Sequence, residues 1–306
     1  MDCERKLNPM IETRLLHYFL VVAREQNITN AAKALHITQP TLSRQMTLLE
    51  EELGVSLFVR GSRPLTLTNE GMLLRRRAEE ILELVEKTEG ELSVGEEQVE
   101  GTISIGCGEL ASVRLLAEMI ADFRGKHPHV LFDVYTANAD QIKKRIDNGL
   151  TDMGLLLEPV EMEKYEYIHM PVKERWAAII PSGVPLAKRE YVTAKDLAEL
   201  PVIMPSRQKV RDEVANWFGS YCDKLNITAT INMNNNAAVL VSAGIGYALT
   251  VEGGLPFIDT TEICTIPLYP ELTATSVLAW KRQQPFSMAA EKFTQHIKCF
   301  LGMEGE

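Results

Sequence analysis

Polar side chains cluster between residues 39 and 47, and their types suit hydrogen bonding to nucleic acid. A glutamine amide can pair with adenine, an arginine with guanine or a phosphate, and a hydroxyl with either. At helical spacing these side chains share the face opposite an apolar stripe, and they are Gln39, Thr41, Ser43, Arg44 and Thr47. The pattern predicts a helix that reads duplex DNA.

The elements around this helix are short and closely spaced. Apolar spacing predicts a first helix over 13–25 and a short second helix over 30–35, for which Asn27 or Thr29 offers a cap. After a tight turn, the third helix runs over 38–53, with proline in its first turn and glycine just past its end. Two short helices joined by such a turn, the second polar outside, describe a helix-turn-helix.

Two short alternating segments follow the third helix and predict a wing. They cover 55–60 and 65–68, around a turn of glycine, serine, arginine and proline. Arg60 and Arg63 would stand where such a wing meets phosphates or the minor groove.

A long helix is expected over 68–92, followed by an acidic hinge. Its apolar positions alternate spacings of four and three, a heptad seam made of Leu74, Ala78, Ile81, Val85, Thr88 and Leu92. A helix of this length with one apolar stripe needs a packing partner, which the chain's own domain could supply. Net charge is −10 overall, yet residues 1–77 hold eleven Lys and Arg against eight Asp and Glu. Because DNA binding needs a local basic face, the overall acidity does not exclude it.

The N-terminal run ITNAAKALHITQPTLSRQMTLLEEELGVSLFVRGSRPLTLTNEG resembles the DNA-binding domain of the LysR-type transcriptional regulators. The matching features are AAxxL, QPxLSRQ, LExELGxxLFxR and LTxxG, spread over about 45 residues. The resemblance implies that Gln39, Pro40, Ser43 and Arg44 lie at the DNA, with Thr29 and Asn30 supporting them. It also implies a homodimer through 68–92 that pairs again into a homotetramer, on an imperfect palindrome.

Beyond residue 100, apolar runs predict strands over 102–107, 130–135, 153–157, 176–180, 202–204, 247–250 and 273–280. Helices are expected between them, including one capped at Thr193 and one capped at Asn236. This alternation predicts a doubly wound α/β domain.

The runs DNGLTDMGLLLEP and LVSAGIGYALT are similar to segments of the same family. The resemblance implies two lobes similar to type 2 periplasmic binding proteins, with a small-molecule effector between them. The expected domains are 1–67, 68–95 and 96–306, with lobe I at about 101–170 plus 270–306 and lobe II at about 171–269.

Three loops after predicted strands are expected to hold the effector, because ligands gather at the carboxyl ends of strands and near helix N-termini. Their candidate residues are Gly108, Glu109, Ser112, Thr136, Asn138, Ser206 and Arg207. A small polar or anionic metabolite is the expected class. Glu109 departs from the hydroxyl residues expected near an anion, so it favours a cationic or amide-bearing effector, or a loop that points elsewhere.

Rival functions have little support in the sequence. No GxSxG, HExxH or P-loop motif occurs, which disfavours an enzyme, and no cofactor or metal site is expected. No secretory signal or long apolar run is found, so we expect a cytoplasmic protein without membrane contact rather than a transport-type binding protein. A redox-sensing regulator of the same family, using Cys107, Cys222 and Cys264, remains the alternative.

Overall fold

The computed structural model describes residues 11–59, 64–92, 99–255, 259, 261–283 and 285–303. The chain divides after Ser93 into two compact units. The first unit contains four helices among its described residues, α1 (Thr13–Glu25), α2 (Ile28–Ala34), α3 (Gln39–Leu53) and α4 (Asn69–Leu92). Within the described residues, no helix is both long and apolar enough to cross a membrane.

The first three helices pack around one apolar core. Phe19 and Val22 of α1 are fully buried there together with Ala31 of α2 and Leu42 of α3. The second helix starts at Ile28, two residues earlier than predicted, because the Asn27 side chain accepts hydrogen bonds from the first backbone N–H groups. The helix-turn-helix expected from the sequence is therefore present.

The wing predicted over 55–60 and 65–68 is described only in part. Among its described residues, strand pairing consists of one antiparallel bridge between Phe58 and Leu67. The backbone N–H of Val59 also donates to the carbonyl of Thr66 at 2.9 Å. Arg60 and Arg63 lie outside the described residues.

The long helix α4 buries some of its apolar residues and exposes others. Ala78 is fully buried in the core of the first unit, and Leu74 and Leu82 pack against that core. By contrast, Ile81 and Leu84 are each 41% exposed. Packing within the chain's own domain thus accounts for the first three residues, while the other two keep an apolar surface exposed.

The second unit is built on two mixed sheets, whose elements alternate along the chain much as expected. Its strands are β1 (Gly101–Cys107), β2 (Val130–Thr136), β3 (Met153–Leu157), β4 (Tyr165–His169), β5 (Glu174–Pro181), β6 (Pro201–Pro205), β7 (Asn226–Ile231), β8 (Tyr247–Val251), β9 (Ile263–Pro267), β10 (Thr273–Ala274) and β11 (Ser276–Lys281). Its helices are α5 (Val113–Lys126), α6 (Ala139–Asp147), α7 (Ala194–Leu197), α8 (Gln208–Trp217), α9 (Asn234–Ser242) and α10 (Met288–Phe300), with 3-10 turns at Pro185–Lys188 and Gly219–Lys224.

The first sheet has the order β2-β1-β3-β11-β4 and is covered on both faces. Helices α5 and α10 pack on one face, where the rings of Phe123 and Phe293 meet edge to face at 5.1 Å. Helix α6 packs on the other face through Ile142. A side chain at Gly106 or Gly154 would collide with Ile142, since its Cβ would stand 2.5 or 2.6 Å from the Cγ2 atom. These glycines allow the close approach of α6.

The second sheet has the order β10-β5-β8-β6-β7, with β9 paired to β5. Helix α8 packs on one face through Val210 and Val214, and α9 packs on the other through Ala237 and Val241. The predicted strand over 273–280 is in fact two strands, because the chain changes sheets at Thr275. Lobe II therefore extends to Ala274, beyond the expected limit of 269.

Candidate DNA-binding face and ligand cleft

The start of α3 is fixed by its own local sequence. The Thr38 hydroxyl accepts a hydrogen bond from the Thr41 backbone N–H at 3.4 Å and lies 2.7 Å from the Thr41 hydroxyl. Proline occupies the first turn, and Gly54 closes the helix at φ +67°. These caps hold the helix in one register.

The register leaves a polar face of α3 exposed. Gln39, Pro40, Thr41 and Arg44 are exposed, and Ser43 is half-buried. The opposite side carries the buried residues Leu42, Met46 and Leu49. In α2, Thr29 and Asn30 are also exposed, and their backbone N–H groups donate to Asn27 at 2.8 and 3.1 Å. Such a face can present amide, hydroxyl and guanidinium groups to base edges and phosphates.

Glu50 has a positioning role that the sequence reasoning did not consider. Its carboxylate accepts hydrogen bonds from the backbone N–H groups of Leu57 at 2.6 Å and Phe58 at 3.2 Å. Helix α3 is thereby tied to the first residues of the wing. The acidic residue inside the LExELG run was the available signal.

One cleft in the second unit brings together most of the predicted ligand residues. It lies between the carboxyl ends of strands from both sheets, and its empty space, including the open solvent at its mouth, is about 610 Å³. Five of the seven predicted residues line it, namely Gly108, Glu109, Asn138, Ser206 and Arg207.

Ser112 and Thr136, the other two predicted ligand residues, lie elsewhere. Ser112 is fully buried, and its hydroxyl is 3.0 Å from that of Ser276. Thr136 is exposed at the end of β2 and hydrogen-bonds the thiol of Cys107. Neither side chain is placed to contact a ligand in the cleft, so their assignment as cleft residues is corrected.

Arg207 lines the cleft, but two of its three guanidinium nitrogens already donate hydrogen bonds, and only Nε is without one among the described residues. It donates to the carbonyls of Leu157 at 3.0 Å and Pro159 at 2.9 Å, and its side chain is only 11% exposed. Its Nε atom lies 3.4 Å from a carboxylate oxygen of Asp140. The residue joins the second sheet to the end of β3 rather than offering a free cation.

A buried carboxylate holds the two places where the chain changes sheets. Glu174, at the start of β5, is 0% exposed. It accepts hydrogen bonds from the backbone N–H groups of Ala111 and Ser112 and from the hydroxyl of Ser276. Since Ser276 begins β11, Glu174 connects both crossovers to the loop that follows β1.

Several cleft residues were missed at the sequence level. The cleft is also lined by Trp176 of β5, Thr250 of β8, Asn232 in the turn after β7 and Asn234 at the start of α9. None of them lies in a loop that was predicted to hold the ligand. The hydroxyl of Thr250 is buried without a hydrogen-bond partner among the described residues. The run of asparagines around 232–236 was the one visible signal.

Two of the described thiols, Cys107 and Cys264, do not resemble activated cysteines. Burial raises the pKa of Cys107, against a hydrogen bond from Thr136 that lowers it, and burial also raises the pKa of Cys264. Cys222 and Cys299 are exposed. Because the thiolate is the reactive form, a raised pKa disfavours Cys107 and Cys264 as redox sensors. No cluster of three or more metal-binding side chains occurs in the described parts of the chain.

Comparison with known proteins agrees with both halves of this description. Residues 13–72 match the family described as bacterial regulatory helix-turn-helix protein, lysR family, and residues 96–301 match the LysR substrate binding domain. An uncharacterized HTH-type transcriptional regulator of Bacillus subtilis (strain 168), YybE, is 30% identical, over 94% of this chain and 98% of that protein.

Solved structures give the same fold. The crystal structure of CbnR, a LysR family transcriptional regulator, superposes with a TM-score of 0.76 at 21% identity, covering 94% of this chain and 99% of that one. Full-length CbnR complexed with its target DNA superposes with a TM-score of 0.72 at 20% identity and the same coverage.

The chain belongs to the LysR family of bacterial transcriptional regulators. It combines a DNA-binding helix-turn-helix with an effector-binding domain of two α/β sheets, and its relatives are named as regulators rather than enzymes.

Proposed function

We propose that the exposed face of α3 enters the major groove of duplex DNA. The main support is that this helix has a buried apolar side and an exposed side with Gln39, Thr41 and Arg44. The second helix of a helix-turn-helix, which is α3 in this chain, binds in this way, with its first residues at the base edges. Its target is bacterial DNA, so the protein acts in the cytoplasm.

The protein acts as an assembly of at least two copies. The exposed apolar groove along α4, formed by Ile81, Leu84 and Val85, supports pairing with a second copy. An exposed apolar edge on β2, with Leu131 and Val134, supports a further contact that makes a tetramer. Paired reading helices would bind an imperfect palindrome, because two-fold symmetry in the protein is matched by symmetry in the site.

A small polar molecule bound in the cleft controls DNA binding. The cleft lies between the two sheets, so a ligand there touches elements on both sides of the crossovers. A ligand that fits one arrangement of the sheets better than another shifts the population toward it. We infer that this shift changes the spacing of the paired DNA-binding domains.

The DNA part of the proposal is tested with Arg44→Ala. Binding to genomic fragments from the protein's own locus is measured by fluorescence anisotropy at several salt concentrations. Loss of a contact to guanine costs about 1–3 kcal/mol, or roughly 5- to 150-fold in Kd, and loss of a phosphate contact reduces the salt slope by about 1. Arg124→Ala, an exposed change of equal charge in the second unit, is the control. Equal affinity and equal salt slope in the two variants would refute the role of α3.

The ligand part is tested by screening metabolites for a rise in the melting temperature of the full chain. A metabolite that raises it should also change the anisotropy titration with DNA. Thr250→Val should weaken the effect of that metabolite, since the substitution removes a hydroxyl from the cleft wall while keeping the shape. A metabolite whose effect on DNA binding is the same in both proteins acts outside this cleft.

A further inference from the structure

The carboxylate of Glu109 spans the cleft and ends at the first turn of α9. It accepts hydrogen bonds from the backbone N–H groups of Asn234 and Asn235 and from the side-chain amide of Asn235. The carbonyl of Glu109 also accepts a hydrogen bond from the Asn234 side chain at 3.0 Å. Glu109 lies in the loop after β1 of the first sheet, whereas α9 packs on the second sheet.

The first turn of a helix is a favourable position for an anion. Its N–H groups have no partners within the helix, and the helix dipole adds partial positive charge. Met233, which precedes α9, has no capping side chain of its own. A carboxylate from a residue 125 positions away supplies the missing acceptors.

Two neighbouring helices have acidic groups at their starts as well. Glu174 accepts hydrogen bonds from the N–H groups of Ala111 and Ser112, just before α5. Asp140 stands in the first turn of α6, beside Arg207. The charges of the protein's own carboxylates therefore offset the positive ends of three helices around the cleft.

Two polar groups of the wall have no hydrogen-bond partner in the described part of the chain, the Thr250 hydroxyl and the Arg207 Nε atom. The Arg207 charge is offset by Asp140, whose carboxylate oxygen lies 3.4 Å from that Nε atom. Thr250 is 2% exposed. A buried hydroxyl without a partner is costly, so it points to a ligand that supplies one. Asn232 and Ser206, which also line the cleft, are uncharged.

We propose that Glu109 is a specificity-determining residue: its carboxylate occupies the anion position at α9 and leaves the cleft for an uncharged ligand that hydrogen-bonds Thr250. A ligand carboxylate would have to displace Glu109 from α9 or lie close to its charge. A hydroxyl or amide group meets neither obstacle. The ligand class named here rests on the proposed function of the cleft.

The occupancy of this position can be tested by chemical rescue. The full-length Glu109→Ser variant empties the position, whereas Glu109→Gln keeps it filled by an uncharged group of similar size. Glu118→Ser, on the exposed surface of α5, is a matched control for the change in charge. Melting temperatures are measured by tryptophan fluorescence in increasing sodium formate or sodium acetate, at ionic strength held constant with sodium chloride.

Glu109→Ser should melt below the wild type in chloride and recover as formate or acetate is added, because an anion that binds only the folded chain stabilises it by mass action. The wild type, Glu109→Gln and Glu118→Ser should not respond. If Glu109→Ser is unfolded in chloride, recovery of the fluorescence of the folded protein in acetate would support the proposal in the same way.

Two outcomes would overturn the proposal. A serine variant that acetate and formate do not stabilise would show that the start of α9 is not an anion position. A wild type that gains as much stability as the serine variant would show that Glu109 excludes nothing. The measurement needs neither DNA nor effector, so its failure is separate from failure of the Arg44 or metabolite experiments.

Discussion

Replacing Glu174 by glutamine should weaken the second unit by an amount that the structure lets us bound. The carboxylate is fully buried and accepts three hydrogen bonds, at 2.8 Å from Ala111, 3.2 Å from Ser112 and 3.0 Å from Ser276. Each oxygen faces at least one backbone N–H group. Whichever oxygen becomes an NH2 group therefore meets a donor that it cannot satisfy.

The cost follows from the unpaired donor. A buried donor left without a partner costs about 1–3 kcal/mol, and bonds to a charged acceptor lie toward the upper end. The carboxylate also lies at the start of α5, where negative charge is stabilised. These losses outweigh the relief from removing a buried charge, because the charge is held by three donors.

Urea unfolding followed by tryptophan fluorescence is the appropriate assay. All three tryptophans, Trp176, Trp217 and Trp280, lie in the second unit, so the signal reports that unit alone. With an m-value of about 2 kcal/mol/M, the midpoint should fall by roughly 0.5–1.5 M. Glu118→Gln, an exposed control, should remain within about 0.5 kcal/mol of the wild type. Equal midpoints for the two variants would refute the assigned role of Glu174.

Three further results are expected. Ile81→Glu should raise the dimer dissociation constant at least about tenfold in sedimentation equilibrium, because it buries a charge in an apolar contact. Leu73→Glu, at another exposed position of α4, should leave that constant unchanged. Equal dissociation constants for the two variants would contradict pairing through the groove. Burial lowers the pKa of His296, and the nearby charge of Lys126 lowers it further. The folded chain therefore binds fewer protons than the unfolded chain below about pH 6.5. The free energy of unfolding should fall on acidification through that range, and it should fall less steeply in His296→Gln. Gly106→Ala should cost about 1–3 kcal/mol by collision with α6, whereas Gly125→Ala, in open space near the end of α5, should be neutral or stabilising in the same urea assay.

Local rules predicted those elements whose ends are decided by neighbouring residues. Helix α3 begins and ends where Thr38 and Gly54 indicate, and the short helix α7 is capped at Thr193 as expected. The continuously apolar strand β3 was predicted at its observed limits, because burial on both faces leaves a run without polar interruption. The alternation of strands and helices then indicated the class of fold.

Elements decided by distant residues were missed. The asparagine run predicted a start for α9 near Asn236, but the helix begins at Asn234, since Glu109 supplies acceptors from across the cleft. Strands β4, β7 and β9 were not predicted; β4 and β7 lie at sheet edges, and their exposed positions break the apolar pattern. Local sequence spacing does not indicate contacts with residues so distant along the chain.

The same limit applies to the candidate site. The loops that form the cleft were predicted from the rule that ligands gather at the carboxyl ends of strands, and five of seven residues do line it. Whether a polar side chain in such a loop is free was not predictable. Arg207 is bound to carbonyls 48 and 50 positions away, and the Ser112 backbone to a carboxylate 62 positions away.

These internal contacts restrict how a ligand could act. Arg207, Glu109 and Glu174 each join elements of one sheet to elements or loops of the other. A ligand changes an equilibrium between two arrangements only by the difference between its affinities for them. A ligand whose contacts leave all three links intact gains no such difference in affinity from them. Control of DNA binding therefore requires a ligand that exchanges with one of these links, or one whose bond to Thr250 forms in only one arrangement of the sheets.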